Sequence, residues 1–231
     1  MRIGILGDVH GNKDALNAVL QSAEKCKVER LLITGDLVGY YPYAKEVLSL
    51  LSNWQTDSVR GNHEDMLVRS INDPKYLESV NEKYGFGLKE SLVSLSKAEI
   101  RYLTELPHPL KIEIEKNIVL IAHGSPADIN EYMYPDTDLL ALKWVSQLDC
   151  DILFCGHSHY PMQKHFRNKL IINPGSVGQP RNKGSSAHWV LWNTELDSFE
   201  FKTEEYELAE LIHWAKSTNP KFTYLHEVFT R

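Results

Sequence analysis

The sequence predicts an α/β fold in which helices pack against layered β-sheets. Short continuous apolar runs, such as residues 3–6 and 152–155, end in polar turns that contain glycine, a pattern typical of buried strands. Segments with an apolar stripe at helical spacing follow the first of these runs, as in residues 12–26. Because strand, turn and helix alternate, the pattern favours a layered α/β architecture.

The individual elements follow from the same two patterns. Strands are predicted where a short apolar run precedes a polar turn, at residues 3–6, 31–33, 58–59, 118–122 and 152–155. Further strands are predicted at residues 162–166, 170–173, 188–192 and 199–203. Helices are predicted at residues 12–26, 43–51 and 204–216, whereas residues 217–231 show no clear pattern.

Residues 65–104 differ from their surroundings because their pattern is almost wholly helical. Their apolar positions include Leu88, Leu92, Leu95 and Leu103, and no turn rich in ligand-type side chains interrupts them. We therefore predict a single domain over residues 1–231 that carries a helical cap insertion at about 65–104.

The composition is that of an ordinary globular protein, and the formal net charge is −6. This charge gives no general attraction to nucleic acid or anionic membranes, so neither kind of stable binding is expected. No stretch approaches the roughly 20 apolar residues that cross a bilayer. The three cysteines include no close pair, which predicts reduced thiols and a cytoplasmic location. Nothing in the sequence specifies an oligomeric state.

Five of the predicted strands end in Asp, Asn or His beside glycine. In open α/β sheets, ligands bind outside the carboxyl ends of the strands, so these five turns are expected to converge. Together they offer seven side chains: Asp8, His10, Asp36, Asn62, His123, His157 and His159. Seven mixed oxygen and nitrogen ligands are more than one tetrahedral zinc ion can use, and this number suits two metal ions. Asp36 is the expected bridge, because a carboxylate can give one oxygen to each ion.

Each motif alone has an ordinary structural interpretation. Asp8-Val9-His10 is more often a turn or a helix N-cap, and Gly35-Asp36 is a common turn. His157 and His159 project to the same side of an extended segment, but such a pair is more often structural than a binding site. The metal interpretation therefore depends on the joint occurrence of all five turns in this order.

Together these motifs resemble those of the calcineurin-like metallophosphoesterase superfamily. The resembling motifs are Asp8-Val9-His10, Gly35-Asp36, Gly61-Asn62-His63, His123-Gly124 and Gly156-His157-Ser158-His159. The stretch Asn173-Pro174-Gly175-Ser176-Val177, followed by Pro180-Arg181, extends the resemblance to a branch of small prokaryotic phosphodiesterases. The resemblance implies a four-layer α/β/β/α sandwich built around two sheets.

The resemblance also implies roles for the motif residues. One ion would be held by Asp8, His10, Asp36 and His159, and the other by Asp36, Asn62, His123 and His157. His63 would protonate the leaving group or stabilise the phosphoryl charge. The implied reaction is hydrolysis of a phosphodiester, phosphomonoester or phosphoanhydride by a hydroxide held between the ions. The expected substrate is a small phosphoester or nucleotide-like molecule, and the ligand set favours Mn, with Fe, Zn, Ni or Co as alternatives.

Three further residues are candidates for substrate binding. Arg60 and Arg181 are expected to grip phosphate oxygens, although Arg60 has an ion pair, and Arg181 a backbone cross-link, as structural alternatives. Tyr40 is a candidate for stacking on a base or aryl group, with an ordinary aromatic residue at the rim as its alternative. Gly39 and Tyr40 stand where the similar protein phosphatases have an Asp-Arg pair, which argues against protein-phosphatase activity.

Two other functions remain open. Gly7-Asp8-Val9-His10-Gly11 and Arg60-Gly61-Asn62-His63-Glu64 also resemble the symmetrical diadenosine tetraphosphatases, so a dinucleoside polyphosphate hydrolase is the alternative enzyme. A non-catalytic scaffold of the same fold, like the phosphoesterase-like subunit of the retromer coat, is the alternative from another class. Such a scaffold is expected to have lost ligands or the catalytic histidine, and here all of them remain. The histidines outside the motifs are expected to be structural or exposed: His108, His165, His188, His213 and His226.

Overall fold

The computed structural model describes residues 1–138, 140–182 and 184–230. The strands are β1 (Arg2–Leu6), β2 (Arg30–Ile33), β3 (Thr56–Ser58), β4 (Leu110–Ile114), β5 (Asn117–Ile121), β6 (Ile152–Phe154), β7 (Met162–Phe166), β8 (Lys169–Asn173), β9 (Ser186–Asn193) and β10 (Ser198–Glu205). The helices are α1 (Lys13–Lys25), α2 (Ala44–Leu51), α3 (Asn62–Asn72), α4 (Pro74–Tyr84), α5 (Gly87–Ser94), α6 (Lys97–Glu105), α7 (Ala209–Thr218) and α8 (Tyr224–Glu227).

The strands form two mixed sheets. The first has the order β10-β9-β1-β2-β3, in which β1, β2 and β3 are parallel and β9 and β10 are antiparallel to their neighbours. The second has the order β4-β5-β6-β8-β7, with β5, β6 and β8 parallel. Strands β1, β2, β5 and β6 therefore direct their carboxyl ends toward the ligand-bearing turns that follow them.

The two sheets pack face to face through alternate side chains. Ile3 and Ile5 of β1 contact a buried cluster that includes Ile121 of β5, Phe154 of β6 and Trp192 of β9. All of these side chains are fully shielded from solvent. Burial of each such side chain stabilises the fold by about 1.5–3 kcal/mol, so the inter-sheet layer fixes the strands whose ends carry the site.

Helices and a 3-10 helix cover the outer faces of the sheets. Helices α1 to α6 share one core with the outer face of the first sheet, to which Leu16 of α1 and Leu103 of α6 belong. The second sheet is covered by the segment that contains the 3-10 helix Lys143–Gln147, with Val145 packed in its core. The predicted α/β sandwich of two sheets flanked by helices is therefore confirmed. No helix in the described ranges is long and apolar enough to cross a membrane.

Two elements differ from the sequence prediction. The helix predicted at residues 204–216 begins only at Ala209, because Glu204 and Glu205 extend β10 and pair with Ala187 and Ser186 of β9. The hydrogen bonds of this long antiparallel ladder outweigh the helical propensity of glutamate. Strand β4 was not predicted, although alternation of apolar residues at Leu110–Ile114 carried the signal.

Candidate metal centre

The predicted ligands lie at the carboxyl ends of β1, β2, β5 and β6 and at the start of α3. Their backbones are unusual, because Asp8, His10, Asp36, His157 and His159 all have positive φ angles, between 52° and 66°. Non-glycine residues rarely adopt this left-handed conformation, and where they do, the surrounding structure must hold them there. The turns are therefore shaped to aim these side chains at one point, at a cost in local strain.

The seven side chains are buried and form two adjoining groups of donor atoms. In the first group, His159 Nε2 lies 3.1 Å from His10 Nε2 and 3.4 Å from Asp8 Oδ1. In the second, His123 Nε2 lies 2.8 Å from Asn62 Oδ1 and 3.1 Å from His157 Nδ1. Each group has the close spacing and the mixed oxygen and nitrogen donors of a transition-metal site.

Asp36 lies between the two groups. Its Oδ2 atom is 3.6 Å from His10 Nε2 and 3.3 Å from His123 Nε2. Its other oxygen, Oδ1, accepts the backbone N–H of His63 at 2.9 Å, which fixes the carboxylate plane. Asp36 is thus the one carboxylate, among the described ligand side chains, that lies close to donor atoms of both groups.

The histidine tautomers test whether cations fit this arrangement. His10 Nδ1 faces the carbonyl of Val38 at 3.2 Å, and His159 Nδ1 faces that of Gln179 at 2.6 Å. Both Nδ1 atoms must carry the hydrogen to bond a carbonyl, so in the neutral form of the two rings the Nε2 lone pairs face each other across 3.1 Å. A cation between the lone pairs removes this repulsion, and a backbone carbonyl on the remote nitrogen is the usual support for a metal-bound histidine.

The charges around Asp36 lead to the same result. Burial alone would raise the pKa of Asp36, but His123, His63 and His10 hold it well below its usual range. Burial opposes charge on His123 as well, yet the Asp36 carboxylate raises the pKa of His123 to about 9. The carboxylate therefore requires positive charge beside it, which a proton on His123 supplies in the absence of a bound ion. The donor set fits divalent metal ions.

The model of the calcineurin-like phosphoesterase superfamily domain matches residues 1–195. The chain belongs to this superfamily. It is 27% identical to a metallophosphoesterase from Sphaerobacter thermophilus, whose crystal structure superposes with a TM-score of 0.80 over 99% of this chain and 98% of that one. A hypothetical protein from Pyrococcus horikoshii superposes with a TM-score of 0.84 at 25% identity, over 99% of this chain and 96% of that one.

A relative with a named activity matches a smaller part of this chain. The serine/threonine-protein phosphatase 2 of Escherichia coli is 25% identical over 196 residues, which cover 78% of this chain and 89% of that protein. The resemblance to protein phosphatases that the motifs suggested is thus present, and the resemblance to metallophosphoesterases extends over the whole chain.

A glutamate that the sequence analysis did not single out supports the metallophosphoesterase site. Glu64 is fully buried and accepts backbone N–H groups from Asp36, Leu37, Val38 and Gly61 at 2.8–3.1 Å. It therefore joins the turn after β2 to the start of α3. Burial and the neighbouring Asp36 raise the pKa of Glu64 to about 7 against the effect of these donors. The sequence signal that could have identified Glu64 is its position directly after the motif residues Asn62 and His63.

The loop after β8 supports the other side of the site. The side-chain amide of Asn173 donates to the carbonyl of Gly156 at 2.7 Å and to Ser158 Oγ at 3.0 Å. Ser176 Oγ donates to the carbonyl of Asp8 at 2.7 Å. These bonds fix the backbone of two ligand turns. His108 has a comparable role, because its Nε2 accepts the backbone N–H of His123 at 3.1 Å.

His63 lies beside both groups, and a nitrogen of its ring is within 4.8 Å of donor atoms of His10 and Asp36, so these three side chains form a third group that could hold an ion. Its ring packs at 4.7 Å from that of His10, 4.9 Å from Tyr40 and 5.3 Å from Tyr84. Nδ1 has no hydrogen-bond partner, and burial lowers the pKa of the ring. Gly39 makes room for it: its φ is +134°, and a Cβ there would lie 2.3 Å from His63 Nδ1. The Gly39-Tyr40 pair that replaces Asp-Arg therefore serves the packing of His63.

A cavity of about 190 Å³ opens above the ligands. Five ligand-turn residues form its floor, and its walls are Tyr40, Lys83, Tyr84, Asn130, Tyr132 and Arg181. Tyr40 and Arg181, two of the candidates for substrate binding, thus line the cavity. Lys83, Tyr84, Asn130 and Tyr132 were not predicted, because they come from the end of α4 and from an irregular segment without a recognisable motif.

Arg60 does not line this cavity. Its guanidinium pairs with Asp65, with Nε and Oδ1 2.6 Å apart, and Nη1 donates to the carbonyl of Thr104 at 3.4 Å. The contacts join the start of α3 to the end of α6. Of the two roles left open for Arg60, the geometry favours the structural ion pair over the phosphate clamp.

Proposed function

We propose that this chain is a hydrolase that uses two divalent metal ions to cleave phosphoester bonds of small molecules. The observation that carries the proposal is the pair of donor groups on either side of Asp36, since two ions a few ångströms apart need a shared carboxylate. We assign Asp8, His10, Asp36 and His159 to one ion and Asp36, Asn62, His123 and His157 to the other. Mn is the proposed metal, with Fe, Zn, Ni or Co as alternatives.

The bound ions supply Lewis acidity toward the phosphoryl oxygens and activate water. The residues of the chain hold and orient the reacting groups around them. The carbonyls of Val38, Thr34 and Gln179 fix the rings of His10, His123 and His159 so that Nε2 faces the site. This fixed geometry removes the need for reorganisation when negative charge develops.

His63 is the proposed proton donor. It lines the cavity, and among the described residues its Nδ1 has no hydrogen-bond partner and its ring forms no ion pair that would hold it away from a substrate. A bound phosphate favours the imidazolium form, because an adjacent negative charge raises a histidine pKa. The imidazolium then gives its proton to the departing oxygen. Tyr40 and Tyr84 pack around the ring and keep water from it.

Arg181 is the proposed phosphate contact. Its guanidinium is largely buried in the cavity wall and donates a hydrogen bond to the side chain of Tyr132, which orients it. Phosphodiesters are the first substrates to try, because the resemblance of the motifs is to small phosphodiesterases. Phosphomonoesters and phosphoanhydrides use the same chemistry.

Turnover of bis-p-nitrophenyl phosphate tests the proposal. We expect hydrolysis when Mn is added to protein that has been treated with a chelator and desalted, and none before the addition. A protein that binds Mn but turns over no phosphodiester, phosphomonoester or phosphoanhydride with any of the five metals would instead support a non-catalytic scaffold of the same fold.

A further inference from the structure

The walls of the cavity carry two positively charged side chains, of which the proposed reaction uses only Arg181. Among the described residues that line it, Asp36 is the only carboxylate and belongs to the floor, whereas Lys83 and Arg181 both stand in the walls. The chain as a whole has more acidic than basic residues, with a net charge of −6. The walls of the cavity therefore differ in charge from the chain as a whole, because they hold two basic side chains and no acidic one.

In the part of the chain that the structure describes, neither Lys83 nor Arg181 forms an ion pair with a carboxylate. The ion pairs between described residues instead join other lysines and arginines to carboxylates. The amine of Lys83 lies 4.9 Å from the ring centroid of Tyr84 and hydrogen-bonds its hydroxyl, so it is held at the cavity edge. Arg181 is similarly oriented by Tyr132. Burial lowers the pKa of the Arg181 guanidinium, whereas Tyr40, Tyr132 and Asp8 raise it, and a phosphate in the cavity would add a further negative charge beside it.

Two divalent ions held by the proposed ligands at the floor would balance the charge of one phosphate group. Two divalent cations outweigh the carboxylates of Asp8 and Asp36, so a phosphodiester with one negative charge needs no more positive charge. A neighbouring terminal phosphate adds roughly −1.5 to −2 near neutral pH. Lys83 and Arg181 supply two positive charges, which match that second group.

The size of the cavity also fits a ligand with two linked phosphate groups. At about 190 Å³ it is smaller than the roughly 300–1,000 Å³ of pockets that enclose a drug-sized molecule. It can enclose linked phosphates while the organic part of the substrate extends outward over the rim. Tyr132, which is 46% exposed and stacked on Tyr134, provides an aromatic surface there.

We propose that Lys83 and Arg181 bind a second phosphate next to the scissile one, so that the preferred substrates are phosphoanhydrides such as nucleoside diphosphates. This inference rests on the proposed phosphoesterase function. In the reaction, the oxygen of water forms the new bond to phosphorus and the bridging oxygen leaves with the electron pair of the broken P–O bond. One proton of the water passes to solvent, and the departing phosphate is protonated through His63.

The test compares ADP and AMP, which differ by one phosphate, on the Mn-loaded full-length protein. The wild type is expected to hydrolyse ADP with the higher kcat/KM. Lys83→Met and Arg181→Met should each lower the ratio of the two kcat/KM values by about tenfold, the effect of one charge-assisted hydrogen bond, chiefly through the KM for ADP. Lys83→Arg keeps the charge and should retain most of the ratio.

Lys89→Met is the matched control, because Lys89 is an exposed lysine on α5 that does not line the cavity. Its ratio should equal that of the wild type. An unchanged ratio in both Lys83→Met and Arg181→Met overturns the inference, and so does an equal loss in Lys89→Met. Turnover of bis-p-nitrophenyl phosphate separates the two proposals: if it proceeds while the ratio is insensitive, only this inference fails, and if no substrate is turned over, the proposed function fails.

Discussion

The Glu64 carboxylate holds the backbone of Asp36, whose N–H it accepts at 2.9 Å through Oε2. The same oxygen accepts the N–H of Gly61 at 2.8 Å, and Oε1 accepts those of Leu37 and Val38. One buried side chain thus closes the start of α3 and fixes the turn that carries the proposed bridging ligand. Glu64 is a positioning residue, because it acts on the metal centre only through these backbone groups.

The substitution Glu64→Ala should therefore lower both stability and metal retention. It leaves four backbone N–H groups without their acceptor, and each such buried donor costs about 1–3 kcal/mol. We expect the free energy of unfolding, measured by urea denaturation of the metal-free protein, to fall by at least about 3 kcal/mol. Metal content after desalting should fall as well.

Glu99→Ala is the matched control for this prediction. Glu99 occupies the same position in the capping box of α6, where its carboxylate accepts the N–H of Ser96 at 2.7 Å, but it is partly exposed and outside the metal centre. Its loss should cost about 1 kcal/mol and leave metal content unchanged. Equal metal loss in the two variants would show that the effect of Glu64→Ala is a general loss of helix capping.

Gly39→Ala should damage the site through the ring of His63. A φ of +134° is open almost only to glycine, at a cost of about 1–3 kcal/mol for another residue, and the new Cβ would crowd His63 and His10. We expect a lower melting temperature and a turnover of bis-p-nitrophenyl phosphate reduced at least tenfold per metal-loaded molecule.

Gly85→Ala is the matched control, because it introduces similar backbone strain without displacing the ring of His63. Gly85 also has a positive φ, +80°, and its added Cβ would lie 2.6 Å from Asn219 Oδ1, away from the metal ligands. It should lose stability by a similar amount with a smaller loss of turnover. If both variants lose turnover equally, Gly39 has no special role at His63.

The strand ends were predictable from sequence because a local pattern marks them. A short apolar run that stops at Asp or His beside glycine specifies both a buried strand and the turn after it, as at β1 with Asp8 and β6 with His157. The chain topology then makes the turns converge. Asn12 was likewise placed at the start of its helix, and its side chain caps α1 by accepting the N–H of Ala15.

The cavity walls were not predictable by the same means. Lys83 and Tyr84 end a helix whose pattern encodes only its packing, and Tyr132 lies in an irregular segment after β5. Their position over the ligands depends on long-range packing: Tyr224 Oη donates to the carbonyl of Lys83 at 3.1 Å and so joins the end of α4 to α8. Contacts between elements 141 positions apart leave no periodic trace in a single sequence.

His63→Ala should retain both metals and lose turnover. The ring is outside the proposed ligand set, and removal of a general acid typically costs a factor of about 10²–10⁴ in rate. We expect this loss in kcat for bis-p-nitrophenyl phosphate, with metal content near that of the wild type. His165→Ala, at an exposed position on β7, is the control and should behave as the wild type. An unchanged kcat in His63→Ala would remove this histidine from the mechanism.

Asp36→Asn should lower the number of bound ions more than the loss of a ligand assigned to only one ion. The amide keeps the shape of the side chain but loses the negative charge that faces His10 and His123 within 3.6 Å. Since the same carboxylate faces both donor groups, both ions would lose a charged ligand at once. We expect less than one ion per chain by elemental analysis after dialysis, whereas Asp8→Asn should retain the second ion.

Asp65→Asn controls for a carboxylate near the start of α3, because Asp65 pairs with Arg60 outside the cavity. It should keep two ions and most of the turnover. Two ions in Asp36→Asn would contradict the bridging assignment directly. A single ion in both Asp36→Asn and Asp8→Asn would place the two donor groups on separate, independent sites, because a shared ligand must affect both ions when it is lost.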